Sequence, residues 1–153
     1  MTDPTTSTIR WQILEALVVR LAAIDGFVAG LRSQVNEQES NGIVATVFFV
    51  GEDKKPDTAT TYLSTMTVGV EVVVDQTAAI EADGTNLYAT LDRALSCVEQ
   101  IVHAPDSWGL DDDFTDVSIV STEASDPRDE LTLAGAVRLQ FRYRHSIEGP
   151  QLP

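Results

Sequence analysis

Two histidines, one cysteine and a short run of aspartates are the residues of this chain whose chemistry could reach beyond packing. His103 closes an apolar helical pattern, where a cation complements the carbonyl end of a helix. His145 ends an alternating segment. Neither has a Cys, His or carboxylate at the spacing of a tetrahedral metal site. Cys97 lies beside the apolar stripe of its helix and reads as a small packing residue rather than a nucleophile. Asp111, Asp112, Asp113 and Asp116 gather oxygen ligands of the kind calcium takes, but their order does not follow the D-x-D-x-D-G loop and no glutamate closes it. No G-x-S-x-G elbow marks a nucleophilic serine. There is no G-x-G-x-x-G turn and no P-loop, and 51–55 (GEDKK) lacks the glycines that let backbone amides close around a phosphate. The sequence thus predicts no catalytic residue, no metal and no cofactor, and reads the charged side chains as surface.

The elements that would position these residues follow from periodicity. Segment 131–145, LTLAGAVRLQFRYRH, carries Leu133, Val137, Leu139, Phe141 and Tyr143 at odd positions and Arg138, Gln140, Arg142 and Arg144 at even ones. A strand alternates its side chains, so this segment has one apolar face and one arginine face. Segment 62–75, YLSTMTVGVEVVVD, is a second long strand, with Met66, Val68, Val70, Val72 and Val74 on one side. Segment 43–50, IVATVFFV, is β-branched and aromatic. It is apolar on both faces, with Val44, Phe48 and Val50 opposite Ile43, Ala45, Val47 and Phe49. Such a strand is covered on both sides, and a neighbouring subunit is one possible cover. Residues 114–124 form a further strand centred on Val117 and Ile119, joined to 131–145 as a hairpin through the turn Ser125-Asp-Pro-Arg-Asp.

Two helices complete the inventory. Ser7 or Thr8 caps the first, whose Ile9, Ile13, Leu14, Leu17, Leu21 and Ile24 share a face before Asp25-Gly26 ends it. The second runs over 85–103 after Asp83-Gly-Thr-Asn, buries Leu87, Leu91, Leu95, Val98 and Ile101/Val102, and stops at Ala104-Pro105. Segment 27–35 is compatible with a short strand. Segment 36–42 (NEQESNG) is polar loop, and 108–116 (WGLDDDFTD) an acidic loop. Segment 51–61 (GEDKKPDTATT), with Lys54, Lys55, Pro56 and Asp57, reads as a long excursion between strands. Residues 1–7 read as a disordered arm, 8–147 as one domain and 148–153 as a tail. The order is α+β and predicts an antiparallel twisted sheet with two helices packed on one face.

At 153 residues the chain is large enough for a full core. Its net charge of −14 argues against tight binding of free nucleic acid, which needs a concentrated positive surface. The acid is clustered: residues 81–130 hold 13 acidic side chains against Arg93 and Arg128, whereas 131–145 hold three arginines and no acid. Separation of sign on this scale suits basic and acidic surfaces that meet in an assembly. The single cysteine excludes an intrachain disulfide. The segment MTDPTTST lacks a basic leader followed by an apolar run, so synthesis in the cytosol without a signal peptide is expected. No apolar run approaches the length of a membrane span.

The layout resembles the tail terminator proteins of long-tailed bacteriophages, also called tail completion or tail-to-head joining proteins. The features that carry it are the helix RWQILEALVVRLAAI, the segment GEDKKPDTATT before the strand TVGVEVVVD, the helix LYATLDRALSCVEQIV and the closing strand VRLQFRYRHSIEGP with Tyr143. The resemblance implies a structural virion protein and not an enzyme. It implies a homohexameric ring at the head-proximal end of the tail tube, which ends tube polymerisation and offers a surface to a head-completion or connector protein. DNA would pass through the lumen without specific binding. On that reading Val44, Phe48, Val50, Arg138, Arg142 and Arg144 are candidates for one side of the subunit contact. Asp112, Asp113, Asp129 and Glu130 are candidates for the other. Lys54, Lys55, Pro56 and Asp57 are candidates for contact with the tail tube. Alternatives are another ring-forming tail or neck subunit and a small ligand-binding or enzymatic α+β domain.

Overall fold

In a computed structural model the described residues are 8–32, 42–75, 86–103, 108, 110, 113–129 and 132–146, with 125–129 and 146 described by their backbone. The expected arm, the polar loop at 36–41, the run 83–85, the stop at Ala104-Pro105, Asp111, Asp112, Glu130 and the tail lie outside them.

The chain is an α+β fold. Helix α1 (Ile9–Ala22) leads to strand β1 (Phe27–Leu31), then β2 (Ile43–Pro56), β3 (Thr61–Asp75), helix α2 (Leu87–Val102), β4 (Phe114–Asp129) and β5 (Thr132–Ser146). The strands form one open sheet in the order β1-β2-β3-β5-β4. It is mixed rather than wholly antiparallel, because β1 runs parallel to β2, pairing Phe27 with Ile43 through to Leu31 with Val47. Face patterns carry no direction; the path of the chain sets it. Gly26, between α1 and β1, takes a positive φ that suits the residue without a Cβ.

Local signals place both helices. The Thr8 hydroxyl accepts from the Trp11 amide, and the Asn86 side chain from the Ala89 amide, so each helix has one of its unpaired first-turn donors satisfied. Ile9, Ile13, Leu14, Leu17 and Leu21 of α1, and Leu91, Ala94, Val98 and Val102 of α2, are buried in one cluster with Ala45, Val47, Met66, Val68, Val70, Leu139 and Phe141. Both helices therefore cover the same face of the sheet. Each large side chain fully buried there contributes about 1.5–3 kcal/mol.

Strand β5 follows the expected alternation, with Leu133, Val137, Leu139, Phe141 and Tyr143 buried and Arg138, Arg142 and Arg144 exposed. Two expectations need correction. The polar segment 51–61 is not a long loop: β2 continues to Pro56, paired with Tyr62, and only a tight turn at 57–60 separates it from β3. Polar composition misleads here because this ribbon is solvated, with 53–60 all exposed, and is held by backbone pairing rather than by burial. Likewise β4 carries strand backbone past Ser125 to Asp129, which pairs with Thr132, so Ser125-Asp-Pro-Arg-Asp is strand with an irregular register instead of the turn.

The acidic loop is anchored from within. Trp108 and Leu110 are both buried, and the Trp108 ring meets Phe141 edge-on at 5.0 Å between centroids. The Arg20 guanidinium lies over the indole at 3.6 Å, so Trp108 is held between α1 and β5.

Candidate interaction surface

The strands outreach the helices by about a factor of two. Strands β2, β3, β4 and β5 comprise 14, 15, 16 and 15 residues. At roughly 3.3 Å of rise per residue, each spans about 50 Å. Helices α1 and α2 comprise 14 and 16 residues. At roughly 1.5 Å of rise per residue, they reach only about 21 to about 24 Å. The sheet therefore runs on beyond its helical layer, and its opposite face carries neither helix.

A β-bulge organises the extension. Phe49 pairs with Val68 and Gly51 with Thr67, leaving Val50 as an extra residue. The extra residue reverses the parity of β2, so Glu52 faces the helices although Val44 and Phe48 face away. The Glu52 side chain is only 4% exposed and bridges three elements. It accepts from the Tyr143 hydroxyl of β5, pairs with Arg10 of α1 at 3.2 Å, and lies 3.8 Å from Lys54. Sequence reading placed Glu52 in solvent, since the bulge that turns it inward has no residue signature.

Further along the same face, Ser64 Oγ and His145 Nε2 are 2.7 Å apart. Tyr62 and Tyr143 flank the imidazole at 5.7 and 5.6 Å between ring centroids. Ser64 is 0% exposed, so its hydroxyl offers no approach to a substrate; the bond ties β3 to β5. Among the described residues no cluster of His, Cys, Asp and Glu could hold a metal. No described helix is long and apolar enough to cross a membrane.

The other face holds the arginines. Arg142 pairs with Asp116 of β4 at 3.7 Å, and Arg144 with Asp57 of the β2–β3 turn at 2.9 Å. Two of the three arginines expected to meet a neighbour thus find carboxylates in their own chain. Arg138 is exposed and forms no ion pair with a described residue. Val44, expected at a subunit contact, is 2% exposed and sits inside one chain. Phe48 is half-buried: its ring lies flat over Gly69 with the Arg32 guanidinium 4.1 Å above, so it too is largely satisfied internally. Val50 remains open. Of the acidic candidates, Asp113 is exposed beside the start of β4, and Asp129 lies on the β4 backbone near its end. Lys54, Lys55 and Pro56 occupy the end of β2, with Asp57 in the turn; Lys55 is exposed, and Lys54 is held by Glu52.

The remaining surface is the two sheet edges. Strand β4 is a terminal strand along its whole length. On the other side β1 covers β2 only from Ile43 to Val47, leaving Phe48 to Pro56 without a described neighbour. No protein-family model matches this chain, and no curated protein sequence matches it.

Proposed function

We propose that the protein is a structural component of a tailed-phage-like particle, a terminator that closes into a ring of identical copies on the head-proximal end of the tail tube. The resemblance in layout supplies the class. The observation that carries it is the mismatch in length: strands of 14 to 16 residues span about 50 Å, whereas helices of 14 and 16 residues span about 21 to about 24 Å. Two long strand edges are free among the described residues. A monomer gains little from building such an extension, whereas a ring uses it to span from one partner to the next. Head-to-tail contacts between unlike patches are what a ring requires, and the two edges of one sheet are unlike patches.

The charge fits the same role. A chain of net charge −14 repels the DNA backbone, so DNA threads a lumen without adhering. The exposed ribbon at 53–60, bearing Lys54 and Lys55, lies at one end of the sheet and suits contact with the tube.

The test is location. Gold-labelled antibody against the chain, applied to tailed particles from the cells that make it, is expected to mark a single site at the junction of head and tail. Label spread along the tube would make it a tube subunit, and absence of label from intact particles would remove it from the tail.

A further inference from the structure

We infer that copies of this chain join edge to edge, β4 of one against the second half of β2 of the next, through the bulge residues Val120 and Val50. The inference rests on the self-association contained in the ring reading, and names its contact.

Both edges carry the same anomaly. On β4 the register skips from Ile119, paired with Leu139, to Ser121, paired with Arg138, so Val120 is an extra residue. On β2 the extra residue is Val50. Val120 is 50% exposed and Val50 43%, with Phe49 beside it at 42%; these are large apolar side chains left in water. A bulge can itself blunt an edge, as charge and proline do at Glu52 to Pro56 farther along β2, but a bulge that only blunts has no use for an exposed apolar side chain. These two present valine.

They also stand within about one ladder step of each other. Phe49 pairs with Val68, Val68 with Leu139 and Leu139 with Ile119, giving one row straight across the sheet. Val50 and Val120 each directly follow an end of that row. A rotation about an axis along the strands therefore brings one edge to the other with a rise of about one residue or less, roughly 3 Å. A closed ring takes up so small an offset by tilting its strands, whereas a large one would build a filament.

Direction agrees. Strand β2 is antiparallel to β3, β3 to β5 and β5 to β4, so β2 and β4 run oppositely. Copies related by such a rotation would pair these edges antiparallel, the better of the two ladders. Charge agrees at the far end. Lys55 is level with Arg144 through Leu63, and Asp113 is the residue just before Phe114, which pairs with Tyr143; both are exposed and of opposite sign.

The experiment uses full-length chain with Cys97→Ser and adds Val50→Cys, Val120→Cys or both, followed by mild oxidation and a short bis-maleimide. Each single variant should remain uncross-linked, an equal mixture of the two should give dimers and nothing larger, and the double variant should give a ladder ending in one closed species. Dimers from either single variant would mean a self-complementary contact and overturn the inference; so would a double variant no more cross-linked than the Cys97→Ser control. Sedimentation of Val120→Asp gives an independent reading: self-association should weaken by about tenfold or more when a carboxylate enters an apolar contact, with far-UV circular dichroism unchanged. Self-association that persists undiminished refutes the edge contact while leaving the ring reading intact. Cross-linking as described in a protein absent from tails refutes the tail reading and leaves the contact standing.

Discussion

At Gly69 a single missing methyl group decides how one aromatic ring lies. A Cβ built there would stand 2.2 Å from the Phe48 ring, so the ring rests on β3 only because the residue beneath it is glycine. Gly69→Ala should push the ring off and loosen Arg32, a loss of about 1 kcal/mol by urea denaturation. In a Phe48→Ala background the same change should be neutral or slightly stabilising, because alanine suits a strand better than glycine; equal losses in both backgrounds would refute the stacking account. Glu52 makes a second case. Tyr143→Phe removes one donor from a buried carboxylate and should cost about 1–2 kcal/mol in the same measurement. At this scale the sequence was only partly readable. The alternation of β5 gave the buried and exposed sets, Tyr143 among the buried ones, but Glu52 in the run GEDKK looks like any solvated acid. Only the extra Val50, invisible until the register is known, turns it inward.

Among the elements, the β2–β3 ribbon is the clearest departure from sequence expectation. Helical periodicity located α1 and α2 to within a few residues because burial imposes it. The ribbon escaped because, past Glu52, no burial shapes it: pairing alone makes 53–56 a strand, and GEDKKPDTATT advertises none of that. The distinction is measurable. Replacing 57–61 with Asn-Gly keeps Pro56 opposite Tyr62 and should cost no more than about 1 kcal/mol, the worth of the exposed Asp57–Arg144 pair it removes, since that dipeptide forms the tight hairpin turns suited to strand twist. Deleting 54–58 should do worse, because it removes Lys54 to Pro56 from their partners Ser64 to Tyr62 and takes Asp57 from Arg144. Trp108 makes the opposite point about an apparent loop. Its indole is buried, although the surrounding WGLDDDFTD reads as solvent-facing acid. Trp108→Ala should cost about 3–5 kcal/mol, the loss expected of a buried core aromatic.

Over the whole molecule, two helices lie on one side of a long sheet, Val44, Thr46, Val73 and Ala134 are buried on the other, and the two edges are what is left to whatever surrounds the chain. Separation of charge along the sequence pointed toward contacts between copies through the arginines. The fold redirects that expectation: Arg142 and Arg144 reach Asp116 and Asp57 of their own chain, and the bulged valines on the edges are among the open apolar residues. Reversing both arginines to glutamate should therefore cost about 1 kcal/mol or less per exposed pair and leave the copy-to-copy contact in place. The central claim is that copies of this sheet close around a hole at one end of a tail. Electron cryomicroscopy of isolated tails tests it most directly. The expected density is a single annulus at the head-proximal end, with β4 of each copy beside β2 of the next. A chain repeated down the tube, or copies touching through their helices with both edges bare, would contradict it.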